Sequence, residues 1–436
     1  MTAGLTDRRT TPRRAKPPIK VMVVDVERCP EEIDSRHPNG GCCSQVRILV
    51  RVAGRPTAIM TLPFENGRIT ARELARHFVG PAFAASPPPL APLTNQSPIT
   101  VIVPTLFRRE PELRSCLDSL AAQTHPNYEV LLVDNRGEDA PPPDWLIDYP
   151  FVRLLRERGL GNAAARNRGL REVATEIVAL TDDDVVVDPG WLTAFARRFD
   201  SHPDEAGVGG LMLPKELETE AQVRLEDYYS LDGVRVMEPL SHRLERPRGR
   251  WPFSKPTMVT RNDAGEVIAS FSLYAPGRLG PGQSRAYRTE ALREIGGFDP
   301  GLGTINGEDL LVWLRLAWRG YSIGFEPAAL VFHVHRRDIE GLRRVVEGYA
   351  AGLTATATAL VMEDPRHLAA MLATAPQALR GFVPPLWGRL RSAHSESAQG
   401  DGRTADAELA RLELRGMLRG PAAYVRSARR ARRERS

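Results

Sequence analysis

Apolar positions in the middle of the chain come in short unbroken runs, each followed by a stretch with helical spacing. ITVIVP, from Ile99, is continuous, as expected of a strand buried on both faces. PELRSCLDSLAAQ then repeats its apolar residues every three or four positions, which predicts a helix. EVLLVDN and FVRLL read as strands, NAAARNRGLREVA as a helix, and EIVALTDDD as a fourth strand ending in three aspartates. This alternation predicts an α/β domain with a mostly parallel, Rossmann-like sheet and helices on both faces. Ligands of such sheets sit beyond the carboxyl ends of the strands. Pro104 and Thr105, Asp134 and Asn135, and Asp182 to Asp184 all fall at such ends.

On either side the pattern changes. Residues 1–18 form a basic, Pro-rich tail. Residues 19–80 read as a small β-rich domain: KVMVVDV and QVRILVRVAG are strand-like, AGRP and ENG are turns, and TARELARHF is a short helix capped by Thr70. Residues 81–98 are a linker rich in Pro, Ala and Ser. The α/β domain spans 99–340 and a helical extension 341–436. Within the domain, 213–280 shows no clear period; Tyr228, Tyr229, Trp251 and Phe253 lie there among Pro, Arg and Gly, as candidates for acceptor contacts.

Composition narrows the class. At 436 residues, 42% apolar and 26% charged, the chain suits a soluble globular protein of more than one domain. No run of about 18 apolar residues occurs, so no membrane span is expected. The N-terminus lacks the apolar segment of a signal peptide. Cys29, Cys42, Cys43 and Cys116 form no recognisable disulfide or zinc pattern, which fits a reducing cytoplasm. The net charge of +5 is concentrated in the tail RGPAAYVRSARRARRERS. Such a cluster either solubilises the chain or meets anionic lipid at the inner face of the plasma membrane. No aromatic-interleaved basic motif points to nucleic acid.

Four motifs carry candidate chemistry. In the turn after a strand, Asp182 and Asp184 can face one site while Asp183 points away. Carboxylates suit Mg²⁺ or Mn²⁺, although a solvated acidic turn has the same sequence. Glu308 and Asp309 open a helix, where they either complement its dipole or aim a proton acceptor into a cleft. His333 and His335 share a face of an extended segment, as a structural pair or as one late ligand to a metal. Arg166 begins a helix rich in small residues, which favours phosphate or simply close packing.

Taken together and in this order, ITVIVPTLFRREPELRSCLDSLAAQTHPNYEVLLVDN, ERGLGNAAARNRG, IVALTDDDVVVDPGWL, EALREIGGFDPGLG and GEDLLVWLRLAWRG closely resemble family 2 glycosyltransferases of the GT-A fold. The resemblance covers about residues 98–340, and the HVHRRD block is similar to a bacterial subset. It implies a nucleoside-diphosphate sugar donor, a divalent cation (Mn²⁺ or Mg²⁺) and inversion at the anomeric carbon. Pro104, Thr105 and Asp134 would hold base and ribose, with Asn135, Arg166 and Asp183 in the same donor-binding group. Asp184 would be the leading metal ligand, Asp182 would touch ribose or metal, and His333 or His335 would make the later metal or diphosphate contact. Asp309 would be the catalytic base and Glu308 its support or an acceptor contact. Arg136 departs from the small residue usual after Asp134-Asn135, and the N-terminal domain is outside the resemblance.

The chemistry agrees with this reading. A leaving nucleoside diphosphate gathers negative charge that a cation neutralises. An acceptor hydroxyl needs a base, typically worth about a hundredfold to ten-thousandfold in rate. The acceptor could be a glycan, a lipid-linked glycan or a small molecule, placing the enzyme in cell-envelope or secondary-metabolite glycosylation. Three other classes compete. A nucleotidyltransferase would carry a Gly-rich, Lys-containing loop where PTLFRRE stands. A glycosidase needs no nucleotide pocket. A non-catalytic scaffold would not bring both acidic motifs to one cleft.

Overall fold

The computed structural model describes residues 17–37, 40–78, 96–137, 140–229, 235–245, 255–275, 282–376, 387 and 403–433. Residues 1–16 of the expected tail 1–18 and most of the linker, with Trp251 and Phe253, lie outside them. The chain forms two compact units, and the smaller gathers three separate segments, 1–88, 216–233 and 335–339.

In the smaller unit, β1 (Ile19–Asp25) pairs parallel with β3 (Gln45–Val52), which pairs antiparallel with β4 (Arg55–Pro63). β2 (Glu32–Asp34) pairs with β5 (Arg68–Thr70). The AGRP and ENG turns work because Ala53 and Gly54, then Asn66 and Gly67, take positive φ. Thr70 and Glu73 form a reciprocal capping box on α1 (Ala71–Ala75). Val24, Ile33, Val46, Ile48, Val50, Ile69 and Leu74 make the core. A second apolar group joins Ile19 to Leu217 and Val223, so the 216–233 segment belongs here rather than with the α/β domain.

The larger unit opens with β6 (Ile99–Thr105), every residue of which is buried. Its side chains alternate between two cores: Ile99, Val101 and Val103 join one, and Ile102 the other. This is what an unbroken apolar strand between two helical layers requires. α2 (Glu110–Ala121), β7 (Tyr128–Asp134), β8 (Val152–Arg156), α3 (Asn162–Glu172) and β9 (Ile177–Leu180) follow, close to the expected bounds. The strands lie in the parallel order β8-β7-β6-β9.

Beyond β9 come β10 (Val185–Val187), α4 (Trp191–Ser201) and β11 (Glu205–Pro214). Helix α5 (Glu220–Tyr229) is the part contributed to the smaller unit. The segment without a clear period thus holds a helix, and β12 (Leu240–Glu245), β13 (Thr257–Asn262) and β14 (Val267–Ser272), an antiparallel extension of the sheet. β15 (Arg285–Arg288), α6 (Thr289–Glu294), α7 (Glu308–Arg319) and β16 (Ser322–His333) complete the domain. The full order is β14-β13-β12-β16-β11-β15-β9-β6-β7-β8, with β11 and β16 parallel and β10 pairing with β16.

Two long helices form the extension, α8 (Ile339–Glu363) and α9 (Arg403–Arg433). By length and composition alone α8 could cross a membrane, although the sequence holds no unbroken apolar run. Its Ala355, Ala359 and Leu360 pack into the core of the larger unit, and the Thr356 hydroxyl donates to the Gly307 carbonyl. Those contacts are those of a core helix.

Candidate active site

β6, β7 and β9 all end on one edge, and their terminal polar residues meet there. The Thr105 hydroxyl donates to Asp183 at 2.7 Å and accepts from the Phe107 amide at 3.0 Å. Phe107 sits at φ 51°, so this short turn is held in a left-handed conformation by the Thr105 side chain. Burial and the adjacent Asp184 push the Asp183 carboxyl up to about 6.

Asp184 is buried. It accepts from Arg109 Nη1 at 2.6 Å, while His333 Nε2 stands 3.4 Å from its other oxygen. The β10–β16 ladder brings the two together, because Val185 is paired with His333 and the Val334 amide donates to the Asp184 carbonyl. His335, two residues on, goes elsewhere. It lies in the smaller unit, 2% exposed, with Nε2 2.8 Å from Glu226 Oε1. Arg47 Nη1 meets the other Glu226 oxygen at 3.1 Å, so the Glu226 carboxylate binds two partners and His335 has a structural one. Of the two histidines proposed for a metal, the fold places His333 at Asp184 and does not bring His335 to it.

The Asp182 carboxylate reaches the other acidic motif through one side chain. Arg166, fully buried on α3, donates from Nη2 to Asp182 at 2.6 Å and from Nη1 to Glu308 at 2.6 Å. Glu308 starts α7 after Gly307 at φ 95°, where a Cβ would press on Thr356 Oγ1 at 2.5 Å and the Gly352 carbonyl at 2.8 Å. Beside it, Asp309 faces Arg285 Nη1 at 3.2 Å. Arg285 is buried, and among the described residues its Nε and Nη1 find no hydrogen-bond partner. Burial and neighbouring Arg166 lower its affinity for a proton. Gly282 leaves room for Asp309: a Cβ there would fall 2.0 Å from its Oδ2.

The end of β7 is closed differently. Arg136 grips Asp134 with two donors, Nε at 2.9 Å and Nη2 at 2.7 Å, and lies over the Phe107 ring at 4.9 Å. Burial raises the Asp134 carboxyl, but these bonds outweigh it and hold it below the usual carboxylate range. Asn135 ties the next loop, donating to the Glu157 and Gly159 carbonyls and accepting from the Gly161 amide. Pro104 is the penultimate residue of β6, paired with Val133. A hollow of about 500 Å³ is bordered by Glu157, Arg158, Arg171 and Arg430.

Sequence reasoning thus named Asp182, Asp183, Asp184, Arg166, Glu308 and Asp309, which the structure links through Arg166 and neighbouring positions. It missed Arg109, Arg285 and Gly282. Arg109 lies inside the quoted PTLFRRE loop, and Arg285 opens the strand before the GGFDP block, but nothing local distinguishes either from a surface arginine. The candidate acceptor aromatic Tyr228 is buried on α5 against Tyr229, not in a loop.

A cation site can be tested on this donor set. Among the described residues no three His, Cys, Asp or Glu side chains stand close enough to hold a metal. Asp184 and His333 offer two ligands. That fits a hard cation that completes its shell with substrate phosphate and water, not one caged by protein.

The fold is an α/β domain in which a strand-turn acidic cluster is joined to a helix-start carboxylate pair at one edge of a mixed sheet. The glycosyl transferase family 2 profile matches residues 100–296. The uncharacterised glycosyltransferase YwdF of Bacillus subtilis is 31% identical over 237 residues, covering 54% of this chain and 73% of that one. The chain belongs to glycosyltransferase family 2. The pre-mycofactocin glycosyltransferase of Mycobacterium tuberculosis is 26% identical over 302 residues, 66% of this chain, and the match spans about half of that relative, 55%. Among solved structures, a mannosyltransferase of Pyrobaculum calidifontis, in complex with GDP-Man and Mn²⁺, aligns with TM-score 0.47 and 19% identity, covering 75% of this chain and 88% of that one.

Proposed function

We propose that this glycosyltransferase moves a sugar from a nucleoside diphosphate to an acceptor hydroxyl with inversion, and that Asp309 is its general base. The observation that carries the reading is the Arg166 guanidinium, bonded at 2.6 Å to both Asp182 and Glu308. It ties the phosphate-side motif to the acceptor-side motif, so the two carboxylate groups serve one reaction centre. Asp182, Asp183 and Thr105 lie on the donor side with Asp134 and Asn135. Asp309 would accept the acceptor proton as the hydroxyl attacks, opposite the departing diphosphate. Arg285 beside it, with Nη1 3.2 Å from Oδ2, aims the carboxylate. Asp184 and His333 would hold a Mn²⁺ or Mg²⁺ ion shared with the donor. Such an ion would supply charge neutralisation to the leaving diphosphate.

Family membership removes the nucleotidyltransferase and glycosidase alternatives. The acceptor is a glycan, a lipid-linked glycan or a small molecule, and the enzyme works in the cytoplasm. Asp309→Asn tests the base. Nucleoside diphosphate release in the presence of acceptor should fall at least about a hundredfold, while calorimetric binding of the donor stays within error. Near-normal turnover in that variant rules Asp309 out. Donor identity comes from the same release assay run across a panel of sugar nucleotides. Excess chelator should silence the enzyme and added Mn²⁺ or Mg²⁺ restore it; full activity in chelator removes the cation.

A further inference from the structure

The helix α9 has two unlike faces. Its inner face is fixed to the larger unit. Ala407, Leu409, Ala410 and Glu413 are buried, and Tyr424 is buried with its hydroxyl on Asp299 at 2.9 Å. Gly416 and Gly420 let it press against α8, since a Cβ at either would fall 2.3 Å from a carbonyl, that of Glu347 or Ala351. Arg419 and Arg415 both reach Glu347. Side by side, the two helices run in the same direction, Arg343 meeting Glu408 and Thr354 meeting the Met417 carbonyl.

The outer face follows helical spacing from Arg411 through Leu414, Leu418, Ala422 and Arg426 to Arg429, roughly 27 Å of axis. Leu418 is 74% exposed and Leu414 40% exposed. Arg411, Arg426 and Arg429 are exposed and have no acidic partner among the described residues. Over residues 409–433 the sequence holds eight arginines and one acid, Glu413, which is buried. A merely solvated basic face would bind neither neutral nor anionic vesicles. A protein interface between copies would bring arginines against arginines.

We propose that this outer face of α9 docks on an anionic lipid bilayer, lying in the interface with Leu414 and Leu418 inserted and the flanking arginines on headgroup phosphates. The pattern is that of a basic amphipathic helix at a membrane surface, with arginines near anionic headgroups supplying the charge-dependent part. Nucleic acid fits less well, because the only aromatic residue of the helix, Tyr424, is buried and cannot stack on a base. This proposal does not depend on the catalytic assignments above. It places the enzyme at the inner membrane face, where a lipid-linked acceptor would be in reach.

The test is co-sedimentation of the full chain with vesicles of phosphatidylcholine alone or with about one third phosphatidylglycerol. The parent should bind only the anionic vesicles and be released by high salt. An Arg411→Glu, Arg426→Glu, Arg429→Glu variant should lose binding by about a hundredfold or more, and Leu418→Asp should weaken it at fixed charge. Circular dichroism and calorimetric donor binding should match the parent in both variants, which separates lost docking from lost folding. Equal binding to neutral and anionic vesicles, no binding to either, or parent-like binding by the triple variant overturns the proposal. Tighter binding to a duplex or single-stranded oligonucleotide than to anionic vesicles also overturns it, in favour of nucleic acid.

Discussion

Arg166 shows how much of this site rests on one side chain. Its guanidinium is out of water, and two carboxylates from distant parts of the chain share it. Removing it strips Asp182 and Glu308 of the guanidinium that bonds both, leaving them the more distant charge of Arg285. Arg166→Met should therefore lower stability by about 3–5 kcal/mol, the usual result of stripping one partner from a buried ion pair. Arg166→Lys keeps the charge but not the two-pronged geometry and should fall between. Urea unfolding measures both; a methionine variant as stable as the parent would show that the carboxylates find other partners. Asp183 makes a different prediction. Its folded carboxyl titrates near 6, above the 3.8 of a free aspartate, so the folded chain binds a proton that the unfolded chain has released. Its contribution to stability is full below about pH 3.8 and is lost as pH rises through about 6. Asp183→Asn removes that loss. The stability difference between variant and parent should grow from near zero below about pH 4 to on the order of 3 kcal/mol above about pH 7. A difference that stays flat with pH would disprove it. The acidic members of this cluster were readable in the sequence not singly, since acidic turns and acidic helix starts are common, but because their blocks occur together and in one order. The arginines that hold them were not. Arg109 and Arg285 act on residues 75 and 24 positions away, and nothing in their own neighbourhoods encodes that choice.

At the scale of elements, backbone pairing and close approach decide where these side chains point. The register that pairs Val185 with His333 selects His333 over His335. The sequence leaves both open, since residues two apart share a face of any extended segment. Strands β6, β7 and β9 were readable because burial on both faces leaves an unbroken apolar run. β12 to β14 were not: three of the six residues of β14 are exposed, so that strand shows neither an apolar run nor a clean alternation. Gly161 is the element-level counterpart of the site. It begins α3, the helix that carries Arg166, at φ 98°, and a Cβ there would fall 2.2 Å from the Gly303 carbonyl oxygen. The obstacle is backbone, which cannot rotate away. Gly161→Ala should destabilise by on the order of 2–3 kcal/mol from the left-handed conformation and the clash together. It should also reduce transfer, because α3 must shift to relieve the contact. Thermal unfolding and the release assay read the two effects; an alanine variant with parental melting and rate would mean the loop has another conformation open to it.

For the whole molecule, the division into units is the feature that linear reading handles worst. A boundary drawn between 80 and 99 is suggested by the Pro-rich stretch, and the N-terminal strands and turns were found where expected. Residues 216–233 and 335–339 nevertheless fold with those strands. The reason is physical. Glu226 is buried and needs cationic or donor partners, and Arg47 and His335 supply them from both other segments. Leu217 and Val223 likewise meet Ile19. The small core thus closes only when chain from the middle of the transferase region covers it. Arg47→Met tests this arrangement without removing any segment. It takes the buried guanidinium from the Glu226 carboxylate, and the smaller unit should lose about 3–5 kcal/mol. Because the two units have separate apolar cores, the loss should appear as a lowered first transition in calorimetry, with the transition of the larger unit and the affinity for donor nucleotide unchanged. Restoring a cation with Arg47→Lys should recover part of the shift. If both transitions fell together, the chain would unfold as one cooperative body and the smaller unit would be part of what holds the catalytic sheet in place.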